Sequence, residues 1–389
     1  MSYSFIQTPA EVSLAQSPVI FAVSSSQYVA QPNFQYIGEL SIWTGSLSDS
    51  GSGEVWTLAK YPSTQGLTGI FDVSRILNST MTELAQTNPS AVQYFKMDSY
   101  LRYQSGSAYI TGSRISSDVY KGLDGYQIFP ETIGEQLWTL TPHYPLLLDG
   151  PATQSVFEDN VGSGYVWTPS TSNHAIITSI AYSGSNGTTS EFTLSTPTTN
   201  SNTFVQLFPI APSEAGFPIS TVGLTSYTVQ AKSFAQFIGQ PIKFELGCQQ
   251  KYPNIRIKFK NRYGAFQYIN MDMINRKSMS SDKRTYQPQL GSWTGRTLSY
   301  NEWDSQTLNY IVDSKQNIIC NTNWLEEEWN DILKQLLVST EIYWCLDNTN
   351  EVKPLTIITS NIQFKTGVVD KLIQYSFEFQ YGQGYKLIL

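Results

Sequence analysis

Acid–base, nucleophilic or metal chemistry needs its side chains gathered together, and this sequence scatters them. Its histidines are His143 and His174, lying apart in a loop-rich stretch with no cysteine beside either. A metal site there would have to be completed by carboxylates, so each reads as a satisfied surface or core histidine. The three cysteines, Cys248, Cys320 and Cys345, are odd in number and lack CxxC spacing. They suggest neither a disulfide framework nor zinc, but free thiols in a reducing compartment. Asp149 and Glu158 are isolated acids and not the paired carboxylates of a glycosidase. Consecutive Glu326, Glu327 and Glu328 would suit a cation, yet a helix starting there already accounts for them, because its dipole favours negative charge in the first turn. The expectation is a protein without enzymatic activity, with no catalytic, cofactor-binding or metal residue to nominate and no cofactor.

One charge concentration does ask for a partner. Residues 251–284 hold nine Lys and Arg against Asp272 and Asp282, in a chain whose formal net charge is −7. The run can be a solvated strand face and loop, a contact with an acidic neighbouring subunit, or a patch in passing contact with DNA. No groove of stacking aromatics interleaves with it, which sets DNA behind the other two. The candidate interface residues are Arg276, Lys277, Lys283 and Arg284.

The elements that must carry these residues read as mainly β. Charged residues make up only 14% of the 389, and Ser, Thr, Asn, Gln, Tyr and Gly supply most of the polarity. That composition predicts pleated sheets with many loops. Length predicts two or three domains, and regularly spaced turn signals suggest that they are β-sandwich-like, a barrel being the alternative for the middle one. We place them at 1–120, 121–240 and 241–389. In the first, an apolar run at 18–23 and a hairpin over 33–60 precede a short helix at 69–78, with Asp72 as N-cap and Phe71 stapling onto Ile76. The second shows short alternating runs at 175–182, 191–195, 203–208 and 226–230, with a stiff proline connector around 142–151.

The third holds the clearest patterns. Ile255, Ile257 and Phe259 alternate with Arg256, Lys258 and Lys260, predicting one apolar and one basic strand face. An amphipathic helix is predicted over 323–337, capped by Asn323, with Leu325, Trp329, Ile332, Leu333 and Leu336 on one side. Trp324 and Trp329 read as core anchors. A half-buried strand follows at 371–381, where Ile373, Tyr375, Phe377, Phe379 and Tyr381 share a face. No leader and no apolar run of membrane-spanning length is read. The sequons at Asn78 and Asn186 carry little meaning without export.

The order IRIKFKNRYGAFQYINM, RKSMSSDKR, NWLEEEWNDILKQLLVSTEIYW, PLTIITSNIQF and FEFQYGQGY resembles virion structural proteins of crAss-like and related phages of Bacteroidetes. NFQYIGELSIW followed by YPSTQGLTGIFDVSRIL is similar to the opening of the same proteins, and the likeness weakens between about 149 and 240. This resemblance implies β-sandwich domains, a place in the short tail or neck of the virion, and a ring or adaptor subunit of cyclic six- or twelve-fold symmetry. The implied partners are copies of itself and other tail or portal-proximal virion proteins, with no membrane contact. The alternative expectation is a β-rich carbohydrate-binding or host-adhesion protein, motivated by the many aromatics and the Ser/Thr/Asn loops.

Overall fold

The computed structural model describes residues 3–388 except 27–29, 46–52, 65, 88–91, 128–145, 168–173, 183–188, 196–204, 218–222, 234–235, 248–250, 347–350 and 367–372. The chain is mainly β. It divides into two compact units, Met1–Leu246 with Lys260–Gln267, and Gly247–Phe259 with Tyr268–Leu389.

The first unit contains two hydrophobic cores. In one, strands Ser4–Gln7, Ile20–Ser24 and Thr68–Asp72 form a small sheet. A larger sheet holds Gln35–Trp43, Glu54–Lys60 and Gln93–Ser105. Phe21 and Phe71 from the small sheet share a core with Tyr36, Leu40, Phe95 and Met97 from the large one. This is the facing arrangement of a β-sandwich. The hairpin over 33–60 is present, with Tyr36 opposite Lys60 and Ile42 opposite Glu54. Most of its tip, 46–52, lies outside the described residues.

The helix expected at 69–78 is corrected. Thr68–Asp72 is a strand paired with Ile20–Ser24, and the helix spans Ser74–Thr87. Gly69 and Phe71 point inward while Ile70 and Asp72 face out, a period of two that five residues can satisfy. At Gly69 a Cβ would lie 2.6 Å from the Tyr36 ring, so the strand packs too closely there for a side chain. Asp72 still serves the helix start, its Oδ1 accepting the Ser74 N–H at 3.0 Å.

The other core joins a five-stranded sheet, Thr153–Val156, Gln236–Leu246, Leu224–Ser233, His174–Tyr182 and Thr189–Ser195, to the pair Ser163–Trp167 and Val205–Pro209. Val166 and Phe208 pack with Tyr227, Val229 and Phe244. Of the proline connector, Pro142 and Pro145 fall outside the described residues.

The second unit is built on an eight-stranded sheet. Its order runs Phe266–Met271, Ile255–Lys260, Ile342–Cys345, Val352–Ile357, Ser376–Tyr381, Leu308–Asn321, Arg276–Tyr286, with Tyr385–Ile388 also on Leu308–Asn321. Phe377 and Phe379 are fully buried, as the alternation requires. The helix is shorter than 323–337. A 3-10 turn at Glu327–Trp329 leads into Asn330–Val338, which buries Ile332, Leu333 and Leu336. Leu325 explains the late start, since its N–H and C=O both pair with Ile373, at 2.8 and 3.0 Å, which holds the backbone extended. Asn323 therefore caps nothing helical. Its Nδ2 donates to Asp272 Oδ2 at 3.0 Å and its Oδ1 accepts the Trp324 N–H at 2.8 Å. No helix among the described residues is long and apolar enough to cross a membrane.

Candidate interface on a sheet-edge arm

Strand Arg276–Tyr286 lies at the edge of the second unit's sheet, paired antiparallel with Leu308–Asn321 from Arg276 opposite Ile319 to Tyr286 opposite Leu308. Eleven residues at roughly 3.3 Å each give it a reach of about 35 Å. All eleven are exposed, so neither face rests on a core. The partner strand changes character along its length. Ile318 and Cys320 are buried at one end, while Leu308, Asn309 and Tyr310 are exposed at the other. The two strands, with Tyr385–Ile388 paired on the far side of Ile311–Ser314, thus run on from the core as a narrow ribbon, here called the arm.

A small hairpin, Ser292–Thr294 with Thr297–Ser299, follows the arm's first strand. Gly291 shows why the chain can fold so tightly there: its φ is +69°, and a Cβ would lie 2.4 Å from the Ser299 carbonyl oxygen. Around this hairpin the large side chains face water. Trp293 is 68% exposed, Tyr300 66% and Trp303 83%. Apolar surface in contact with water is unfavourable by about 25 cal/mol per Å2, and a two-stranded hairpin such as Ser292–Ser299 is marginal alone, so this segment contributes little to its own stability. Exposed clusters of this kind mark surfaces that meet a partner.

All four candidate interface residues lie on the arm, but as two separated pairs. Arg276 and Lys277 are at its base and Lys283 and Arg284 toward its far end. Neighbours on a strand point to opposite faces, so each pair splits its charge between the two sides. Lys277 is engaged in its own sheet: its Nζ sits 5.1 Å from the Trp344 ring centre, with Lys353 at 5.2 Å from the same ring. Burial pushes the nearby Cys320 thiol up to about 12, against a smaller lowering by Lys277.

Three other cations of the basic run, Arg256, Lys260 and Arg262, depart from a solvated strand face, whereas Lys251 is exposed. Arg256 is buried, its Nη1 3.1 Å from Asn270 Oδ1 and its guanidinium 4.7 Å from the Tyr268 ring centre. Lys260 is buried and pairs with Asp124. Arg262 Nε lies 2.9 Å from Asp149 Oδ2. These side chains hold the fold rather than a partner. Beside Asp124 and Lys260, a cavity of about 20 Å3 lined by Leu147, Tyr165, Tyr263 and Phe266 has room for a single water.

Glu326, Glu327 and Glu328 are all exposed. Trp324 next to them is 55% exposed, which corrects its reading as a core anchor, whereas Trp329 is half-buried against the core. His143 lies outside the described residues, and His174 opens a strand. Among the described residues no three His, Cys, Asp or Glu side chains gather as a metal site. The aromatic segment after the arm's first strand was not singled out from sequence. Its only signal is a set of large aromatics, Trp293, Tyr300 and Trp303, spaced with neither strand nor helix period.

No protein-family model and no curated protein sequence matches the chain. Among solved structures, a crystal structure of squid arrestin is similar over 61% of this chain and 90% of that one, at 10% identity and a TM-score of 0.16.

Proposed function

We propose that this protein is a non-catalytic structural subunit of a bacteriophage virion, a ring or adaptor component of the short tail or neck that assembles with cyclic symmetry. The observation that carries the reading is the arm. Its first strand is exposed on both faces, and it leads into a segment of exposed Trp and Tyr that the protein's own cores do not use. Rigid β cores suit a part that must hold a fixed angle to its neighbours, and a projecting ribbon suits the contact between them. The sequence resemblance supplies the setting. Quantitative mass spectrometry of purified, salt-washed virions of the source phage tests it. A firmly bound count near six, twelve or a small multiple per particle is expected, and absence from the particle overturns the reading.

Carbohydrate binding is the second reading, favoured by one observation. Trp293, Tyr300 and Trp303 present aromatic faces to water close together in the chain, as a sugar-stacking surface would. Glycan-array binding that is lost in Trp303→Ala supports it, and an array without signal removes it.

A further inference from the structure

We infer that the far end of the arm docks on the Trp324 and Glu326–Glu328 ledge of a second copy of this chain, head to tail. This rests on the assembly reading above and names the neighbour.

The argument begins with charge. Lys283 and Arg284 are exposed toward the far end of the arm, with exposed Tyr286 beside them and Tyr310 on the partner strand. The ledge offers the complement, three exposed carboxylates in succession next to an exposed indole. A lysine or guanidinium brought onto this ledge meets both carboxylate and indole face, and both attractions strengthen as water is excluded.

Position then excludes a contact within one chain. The ledge lies at the arm's base: Asn323 bonds Asp272, and Asn321 Nδ2 donates to the Ile274 carbonyl oxygen at 2.5 Å. Lys283 stands nine residues further along the ribbon than Ile274, about 30 Å at the rise of a strand. The two complementary patches of one chain are thus held apart, so that each meets its complement on a different copy. Two unlike patches on one subunit are what a heterologous interface needs, and repeated contacts of that kind close into a ring when the rotation permits.

The edge strand also disfavours another mode. Lysine and arginine along an exposed edge discourage strand-to-strand addition, so the arm is read by its side chains rather than by its open backbone.

Sedimentation of the purified full chain, with paired charge reversals, tests the inference. The wild type is expected to self-associate. K283E/R284E and E326K/E328K should each weaken association by tenfold or more while thermal melting confirms an unchanged fold, and the chain carrying all four reversals should recover most of the loss. Should a reversal fail to fold, K283Q/R284Q and E326Q/E328Q give the same comparison, each pair weakening association. A wild type that stays monomeric up to about 100 µM overturns the inference. So does association indifferent to both pairs, or no recovery in the fourfold variant. Any of these results with the chain present in virions leaves the assembly reading standing, whereas absence from virions removes that reading itself.

Discussion

The Lys260 ammonium pairs with the Asp124 carboxylate in the protein interior, across 136 positions of sequence, the two side chains only 7% and 6% exposed. Gln16 Nε2 adds a hydrogen bond to the other Asp124 oxygen at 2.8 Å. Two charges taken out of water together are held by their mutual attraction, but one left alone is strongly unfavourable. Lys260→Met should therefore cost about 3–5 kcal/mol of stability. The double replacement Lys260→Met with Asp124→Leu should restore most of it. Urea unfolding of the two variants gives both numbers, and equal losses would show that the cost is not electrostatic.

Gly264, in the turn that carries Lys260, has a φ of +79° and lies against the same stretch, where an added Cβ would come within 2.0 Å of the Asp124 carbonyl oxygen. Strained backbone and a backbone clash both follow from Gly264→Ala, with an expected loss of at least about 2 kcal/mol. Gly106 is the control. Its φ is +63° but nothing lies within 4 Å of the added carbon, so Gly106→Ala should cost only about 1 kcal/mol. Thermal melting of both variants separates conformational cost from clash.

On the arm, Asp282 stands directly opposite Asp313. Like charges in register oppose strand pairing, and an unlike pair favours it by roughly 0.2–1 kcal/mol. Asp282→Lys should slow amide hydrogen exchange in the arm about twofold while leaving the cores unchanged. Faster exchange in the arm would contradict this account.

Burial raises the Asp272 carboxyl, and the hydrogen bond from Asn323 offsets only part of the effect. A raised carboxyl adds stability that is complete below its unfolded value, about 4, and is lost as pH rises through the folded one. Asp272→Asn keeps the neutral form at every pH. Its unfolding free energy should exceed that of the wild type at neutral pH and match it below about pH 4. A pH series of urea unfolding curves checks the sign, and a neutral-pH loss would refute it.

Patterns with a short period were legible in the sequence because they depend on neighbours in the chain. The alternation that buries Phe377 and Phe379, the hairpin within 33–60, and the stripe of Ile332, Leu333 and Leu336 all follow from the geometry of strand, turn or helix. The basic excess of 251–284 and the candidate contact residues within it were equally visible as composition.

Boundaries and burial were decided elsewhere. A helix starting at Asn323 satisfies every local preference, yet Ile373, distant in sequence, pairs with Leu325 and holds the chain extended. Gly69 and Phe71 fit a helix until the strand Ile20–Ser24 supplies them with a partner. Charge alone does not distinguish Lys260, buried against a distant aspartate, from Lys283, exposed on the arm. What the sequence by itself determined was the mainly β character and, for the strand of Phe377 and Phe379 and the helix of Ile332, Leu333 and Leu336, the side that turns inward, since these rest on local periodicity. Only the tertiary structure decided which cations hold the fold, which are presented on the arm, and that Trp293, Tyr300 and Trp303 face water, because exposure depends on every segment that packs nearby and on those that do not.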